Sequence, residues 1–300
     1  MTPLLLALLS LIVFVAGGVA AWFYLSFLRL TSTELAPGVH AVFGGGGNSL
    51  VIRSGNQVIL FDAKFPPFSH WLRSWVYRKT GCPVTVVVNS HYHFDHTQGN
   101  ISYPQAQIIA QKDVPEFMLH NDRDWWQNNP GGIPPEADLV DVTRTLKVGE
   151  QEILLTSDTG HTRGDLWLCL ADQGIVATGD LFSHRCYPFF DTDYGGASIP
   201  DIIASLRSLA ERYPDAIFLP GHGPPGTASD VIRYSDYLEF LYDSVSCGIR
   251  DGLSEAAVVK SVDLSGWGLS VLPIFHYGVT WLTAKSNVRS AYRLLADSRD

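Results

Sequence analysis

Val84-Thr85-Val86-Val87-Val88-Asn89-Ser90-His91-Tyr92-His93-Phe94-Asp95-His96 is the stretch that decides how this chain folds. Its first five residues are β-branched throughout and predict a buried strand. Three histidines and an aspartate then fall within six residues, on the loop leaving that strand's C-terminal end. Imidazole and carboxylate suit zinc, and four of them converging on one loop would repel one another or go unsatisfied without a cation. The H-x-H-x-D-H spacing therefore predicts a metal site rather than a solvated loop with accidental histidines.

Upstream, Val51-Ile52-Arg53 and Val58-Ile59-Leu60-Phe61-Asp62 read as two strands joined by a tight turn at Ser54-Gly55-Asn56. Trp71 to Lys79 has helical spacing, closed by Gly81 and Pro83. Downstream, Glu152–Thr156, Asp165–Leu170, Ile175–Thr178 and Ala216–Leu219 are strand-like. Ser198-Ile199-Pro200-Asp201 reads as a helix start running to about Tyr213 before Pro214, and Ser229–Val245 as a second amphipathic helix. Runs of strands with helices interspersed suit two sheets packed together with helices outside them, an α+β arrangement. Gly44–Gly47 is followed by a strand and by no Gly-Lys-Ser/Thr, so it reads as a turn and not as a phosphate loop.

With 300 residues, 46% apolar and 17% charged, most of the chain can bury a core. A net charge of −9 without clustered Lys and Arg argues against a nucleic-acid groove. The four cysteines, Cys82, Cys169, Cys186 and Cys247, include no C-x-x-C pair, which removes a structural zinc knuckle. Cys186 could line a site near Asp180, although an inert thiol is the better reading.

Pro3 to Leu28 contains no charged residue and is long enough, at about 1.5 Å per residue, to cross a ~30 Å hydrocarbon core. Trp22 and Tyr24 sit near one end, where interfacial rings collect. A cleaved signal peptide competes, but no Lys or Arg precedes the run and the run is longer than an ordinary signal core. The expectation is an N-terminal transmembrane anchor over residues 1–30, with a single-pass membrane localisation whose sidedness stays open, followed by one domain over residues 31–300.

Three more candidates share one local setting. His161 lies in Thr159-Gly160-His161-Thr162, Asp180 in Thr178-Gly179-Asp180, and His222 in Pro220-Gly221-His222-Gly223. Each follows a strand-like run and touches a glycine, which lets the backbone turn sharply and aim a side chain at a common sheet edge.

Together with the hexapeptide, and in this order, these residues make the chain resemble the metallo-β-lactamase superfamily over roughly residues 35 to 225. The resemblance implies a four-layer αββα sandwich with a metal site at one edge between its sheets. It implies that His91, His93 and His161 bind a first metal, that Asp95, His96 and His222 bind a second, and that Asp180 bridges both. Asp62 matches the family's early aspartate and is expected to fix the far nitrogen of a ligand histidine. True zinc β-lactamases lack an acidic residue where Asp180 stands, so the chain is similar to the glyoxalase II, lactonase and related hydrolase branches. The flavodiiron branch carries Glu where this chain has His93, and the nuclease branches add a domain or basic exosite not visible here. No basic patch for a glutathione carboxylate could be located.

What the resemblance implies chemically is a binuclear zinc hydrolase, with iron or manganese as alternative metals. A water shared by two metals about 3.5–4 Å apart has its pKa lowered from 15.7 toward ~7, and the resulting bridging hydroxide attacks an ester, thioester, lactone or amide carbonyl of a small molecule. Asp95 and Asp180 are the catalytic carboxylates in this reading. The alternative is a mononuclear iron persulfide dioxygenase of the same fold, using two histidines and the aspartate. A scaffold without chemistry fits poorly with seven intact ligands. Trp125 and Trp126, His184 and Tyr187, and more distantly His276 are candidates to face substrate. His40, His70 and His120 lack motif context and read as structural or surface residues.

Overall fold

The computed structural model describes residues 3–274 and 278–297. The first sheet runs in chain order through β1 (Thr31–Ala36), β2 (Val39–Phe43), β3 (Ser49–Ser54), β4 (Gln57–Phe61), β5 (Val86–Val88), β6 (Gln107–Gln111) and β7 (Leu139–Val140). Its first four strands pair antiparallel, and β4 to β7 pair parallel. The second sheet has the order β12-β11-β10-β9-β8, from β8 (Thr143–Val148), β9 (Gln151–Asp158), β10 (Asp165–Leu170), β11 (Ile175–Ser183) and β12 (Ile217–His222). A small hairpin, β13 (Leu272–Ile274) and β14 (Thr280–Leu282), lies outside both.

Alternation along the strands builds the layers. Leu50, Ile52, Ile59 and Phe61 point to the inter-sheet core, where they meet Leu155, Leu166, Leu168, Ile175 and Ala177 of the second sheet. Val51, Val58 and Leu60, one residue out of phase, face outward onto Leu72 and Val76. The helices, in chain order, are α1 (Pro3–Phe23), α2 (Phe68–Thr80), α3 (Phe94–Thr97), α4 (Val114–Asn121), α5 (Arg123–Asn128), α6 (Ile199–Arg212), α7 (Ala228–Arg250), α8 (Glu255–Ser261) and α9 (Ala284–Asp297). α2 covers the outer face of the first sheet, while α6, α7 and α9 cover that of the second, giving the four layers α/β/β/α. Ser198 caps α6 by accepting from the Asp201 amide, as its sequence predicts.

The expected transmembrane helix is the main correction. Among the described residues no helix is long and apolar enough to cross a membrane, so the anchor and the membrane localisation drawn from it do not stand. The apolar run is not one uninterrupted α-helix: α1 ends at Phe23, and Tyr24–Leu28 widens into a π-helical turn. The end of the run is docked on the domain. The rings of Phe23 and Phe27 lie 6.4 and 6.3 Å from that of Trp281, and the Gly45 amide donates to the Phe27 carbonyl at 2.9 Å. Counting apolar residues registers none of these contacts.

Two interactions tie the sheets together at the edge where β5, β11 and β12 end. The Leu166 amide donates to the Ser90 carbonyl at 2.6 Å, and the Asn48 side chain donates to the carbonyls of Pro220 and Gly223 at 2.9 and 2.8 Å. The glycine turn beside Asn48 is held from below by fully buried Lys64, whose ammonium donates to the carbonyls of Gly47 and Val42 at 2.6 and 3.3 Å. Gly47 packs so closely on the His96 imidazole that any side chain there would overlap the ring. Gly47→Ala is expected to destabilise the protein by about 1–3 kcal/mol through overpacking. Urea denaturation measures this, and a parent-like midpoint would show that the ring can retreat.

Candidate metal centre

Each donor is delivered by a short piece of constrained backbone. After β5 the chain passes through His91 and His93 into α3, one helical turn that presents Asp95 and His96. Thr97 ties this turn down by donating to the carbonyls of Tyr92 and His93 at 3.0 and 2.9 Å. His161 sits in the β9–β10 turn, which Asp165 closes by accepting from the amide and hydroxyl of Thr162. Asp180 lies within β11 after Gly179, and His222 ends β12. Gly221 lies directly against the Asp180 carboxylate, an approach that a Cβ would block.

The seven side chains form two groups. His91, His93, His161 and Asp180 offer ligand atoms to one, and Asp95, His96 and His222 to the other, with each group's atoms within 4.8 Å of one another. In the first, His91 Nε2 and His161 Nε2 lie 2.8 and 3.0 Å from His93 Nδ1, and Asp180 Oδ2 lies 3.6 Å from His161 Nε2. In the second, His222 Nε2 and His96 Nε2 lie 3.4 and 3.8 Å from Asp95 Oδ2. Asp180 reaches this group too, with Oδ2 3.5 Å from His222 Nε2 and Oδ1 3.3 Å from His96 Nε2. Ligands at ~2.0–2.1 Å around a tetrahedral zinc stand roughly 3.4 Å apart, close to these separations. His96 Nε2 and Asp180 Oδ1 are buried without a hydrogen-bond partner, and imidazole nitrogens face each other in the first group. Orphaned lone pairs aimed at one space are what a cation satisfies, so the residues present fit a bound metal.

Around these donors lie the groups that orient them. Asp62 Oδ2 is 2.8 Å from His96 Nδ1, and the same carboxylate accepts from the amide and hydroxyl of Ser90, both at 2.8 Å. Ser90 Oγ in turn stands 2.9 Å from His91 Nδ1. Asp62 has φ +64°, a left-handed conformation that a non-glycine residue adopts at a cost, and here it points the carboxylate under the site. Asp191, which the sequence reading did not single out, plays the matching part for His93: its Oδ2 lies 3.3 Å from Nε2 and accepts from the Tyr92 hydroxyl. No local motif marks Asp191, Lys64 or Asn48, because their roles exist only once distant segments meet.

The charges are set by the same geometry. Burial lowers His222, but Asp180 and Asp95 more than offset it and hold the imidazole up at about 9. His96 is likewise raised against burial by Asp180, Asp62 and Asp95. Asp95 is held down at about 2, because His96 and His222 outweigh the burial that would raise it. Burial and the neighbouring imidazoles push His91 down, and burial above all lowers His161, to about 3.

The residues expected to face substrate are elsewhere. Trp126 is buried among Tyr92, Phe117 and Met118, and Trp125 packs against the same cluster; neither lines the cleft over the donors. His184 is committed to the Pro224 carbonyl at 2.9 Å and to Asp230 at 3.4 Å. Tyr187 is buried in the core under α7 and α9. Burial pushes the Cys186 thiol up to about 12, consistent with an inert thiol. His40 packs on Trp75, His70 stands 3.2 Å from Ser102 Oγ and His120 stacks on Tyr194, all in structural settings. His276 lies outside the described residues.

Two outcomes follow from this arrangement. Asp191→Asn is expected to lower metal affinity 10–100-fold by releasing His93, read with zinc by competition with a chromophoric chelator; unchanged affinity would show that Asp191 does not hold His93 in place. The raised His222 pKa, about 9 against an ordinary 6.5, stabilises the metal-free fold fully below pH 6.5, and that stability is lost as pH rises through about 9. The raised His96 adds to this loss and Lys64, lowered to about 7, opposes part of it, so melting with chelator should decline over this interval and zinc-loaded protein should decline less. Parallel slopes would contradict it.

Residues 42–222 match the sequence profile of the metallo-beta-lactamase superfamily. A hydroxyacylglutathione hydrolase from Chelativorans sp. (strain BNC1) is 26% identical over 149 residues, covering 48% of this chain and 51% of that protein. Another from Maricaulis maris (strain MCS10) is 29% identical over 114 residues, covering 38% and 40% respectively. The chain thus spans about half, or less, of the length of these curated relatives. Among solved structures, a metallo-beta-lactamase from Pontibacter korlensis superposes with a TM-score of 0.59 at 19% identity, covering 70% of this chain and 99% of that one. A sec-alkylsulfatase from Pseudomonas sp. superposes with a TM-score of 0.67 at 16% identity, covering 88% and 50%. At such identities the structural likeness speaks for the fold alone, but the profile match covers more than half of the sequence, and the chain belongs to the metallo-beta-lactamase superfamily.

Proposed function

We propose that this protein is a binuclear zinc-dependent hydrolase of a small molecule, cleaving an ester, thioester, lactone or amide carbonyl. The observation that carries the reading is the position of Asp180 between the two donor groups, 3.6 Å from His161 on one side and 3.5 Å from His222 on the other. A carboxylate so placed is suited to join two cations. Two divalent ions held there would acidify a water and polarise the scissile carbonyl.

The chain's own residues supply the rest. His91, His93 and His161 hold one side of the site, and Asp95, His96 and His222 the other. Asp180 Oδ1 carries no protein hydrogen bond and is available to orient the attacking water and accept its proton. Asp62 and Asp191 keep His96 and His93 in position, while Phe94, Phe189 and Ile274 line the cleft and limit bulk water. No serine or cysteine nucleophile is required. The relatives named hydroxyacylglutathione hydrolase favour acyl transfer from a thioester among the four carbonyl classes. A mononuclear iron dioxygenase is the weaker reading, because one ion would leave Asp95, His96 and His222 buried against one another without a cation.

Elemental analysis of the purified protein, with turnover of a panel of lactones, thioesters, esters and β-lactams, tests the proposal. Two zinc per chain are expected, with activity lost in His93→Ala and Asp180→Ala proteins that remain folded by circular dichroism. One iron per chain with oxygen consumption would overturn it.

A further inference from the structure

We infer that the substrate of this cleft carries no negative charge and presents an apolar arm, and so is not a glutathione conjugate. The inference rests on the hydrolase reading above and concerns what surrounds the reacting carbonyl. The cleft over the donors has a volume of about 230 Å³. Besides the proposed ligands its lining includes Phe94, Phe189 and Ile274 as apolar walls, and Asp122, Asp191 and Asp193 as carboxylates. Among the described residues that line it there is no lysine or arginine. Through Phe94, Asp95, His222 and Ile274 it adjoins a small hollow of about 40 Å³ walled by Phe27, Phe65, Leu272 and Pro273, with no lysine or arginine among the described residues that line it.

Two cations near the site, Lys64 and Arg163, are spent elsewhere. Lys64 is wholly buried beneath the glycine turn and donates to backbone carbonyls. Arg163 lies over the rings of Phe117 and Tyr194 and donates to the Tyr194 carbonyl at 2.9 Å. Two divalent ions would be half neutralised by Asp95 and Asp180, and the three further carboxylates oppose any anion that approaches. Glutathione brings two carboxylates against one ammonium, a net negative charge, and among the described lining residues no lysine or arginine pairs with either carboxylate. An alkyl or aryl arm, by contrast, gains burial against Phe94, Phe189 and Ile274 of the cleft.

Calorimetric titration of the zinc-loaded full chain with two thioethers, which cannot be hydrolysed, tests this. S-hexylglutathione and S-hexyl-N-acetylcysteamine share the apolar arm and differ in charge. The uncharged thioether is expected to bind at least tenfold more tightly. That ratio should shrink at least threefold in an Asp122→Asn/Asp193→Asn double variant, which alters no proposed metal ligand. Equal or tighter binding of S-hexylglutathione overturns the inference, as does binding of neither or an unchanged ratio in the variant. Turnover of hexanoyl thioesters of the same two thiols separates the two readings. Preference for the uncharged thioether with no turnover of these thioesters or of the lactone, ester and β-lactam panel sinks the hydrolase and leaves the charge preference. Hydrolysis of both thioesters with equal kcat/KM sinks the charge preference and leaves the hydrolase.

Discussion

Seven metal-seeking side chains, all but one of them buried, must converge within a few ångströms, and they come from separate strands of two different sheets. In a low-dielectric setting an unpaired imidazole or carboxylate is costly, and several facing one another more so. The edge of the sandwich is arranged around this problem. Sheet one contributes a single loop with four donors; sheet two contributes one donor from a turn, one from within a strand and one from a strand's end. Backbone bonding between Ser90 and Leu166, and the reach of Asn48 across to β12, hold the two sheets at the separation the donors need.

That arrangement explains features which look unfavourable singly. Asp62 accepts a left-handed backbone because its carboxylate must serve both Ser90 and His96. Lys64 is buried, with its pKa pulled down to about 7 by desolvation against the opposing pull of Asp95 and Asp62, because the carbonyl of Gly47 needs a donor where water cannot reach. Gly47 and Gly221 are glycines for want of room beside His96 and Asp180.

The layers were legible in the sequence because they rest on local signals: β-branched runs, phase alternation in β3 and β4, and the Ser198 cap. The hexapeptide was legible for the same reason, since four donors on one loop form a pattern without any tertiary context. His161, Asp180 and His222 needed both their strand–glycine settings and a family resemblance. Asp191 stands 98 residues from the histidine it faces, in a loop with no motif, and only the folded chain pairs them. For Trp125 and Trp126 the sequence left a rim over the cleft and a cover for the sheet equally open, because an aromatic pair before a loop reads alike in both; they pack with Tyr92, Phe117 and Met118. The apolar N-terminal run misled, since hydropathy does not register that Phe23 and Phe27 pack on Trp281.

Because the donors are divided between the sheets, a cation bound by all of them would also be a mechanical fastener across the sandwich. Its binding energy would then be available only to the assembled state, and would raise the cost of parting the layers by mass action. The supply of metal in the surroundings would in that way govern how long the protein survives proteases, as well as whether it can turn over substrate.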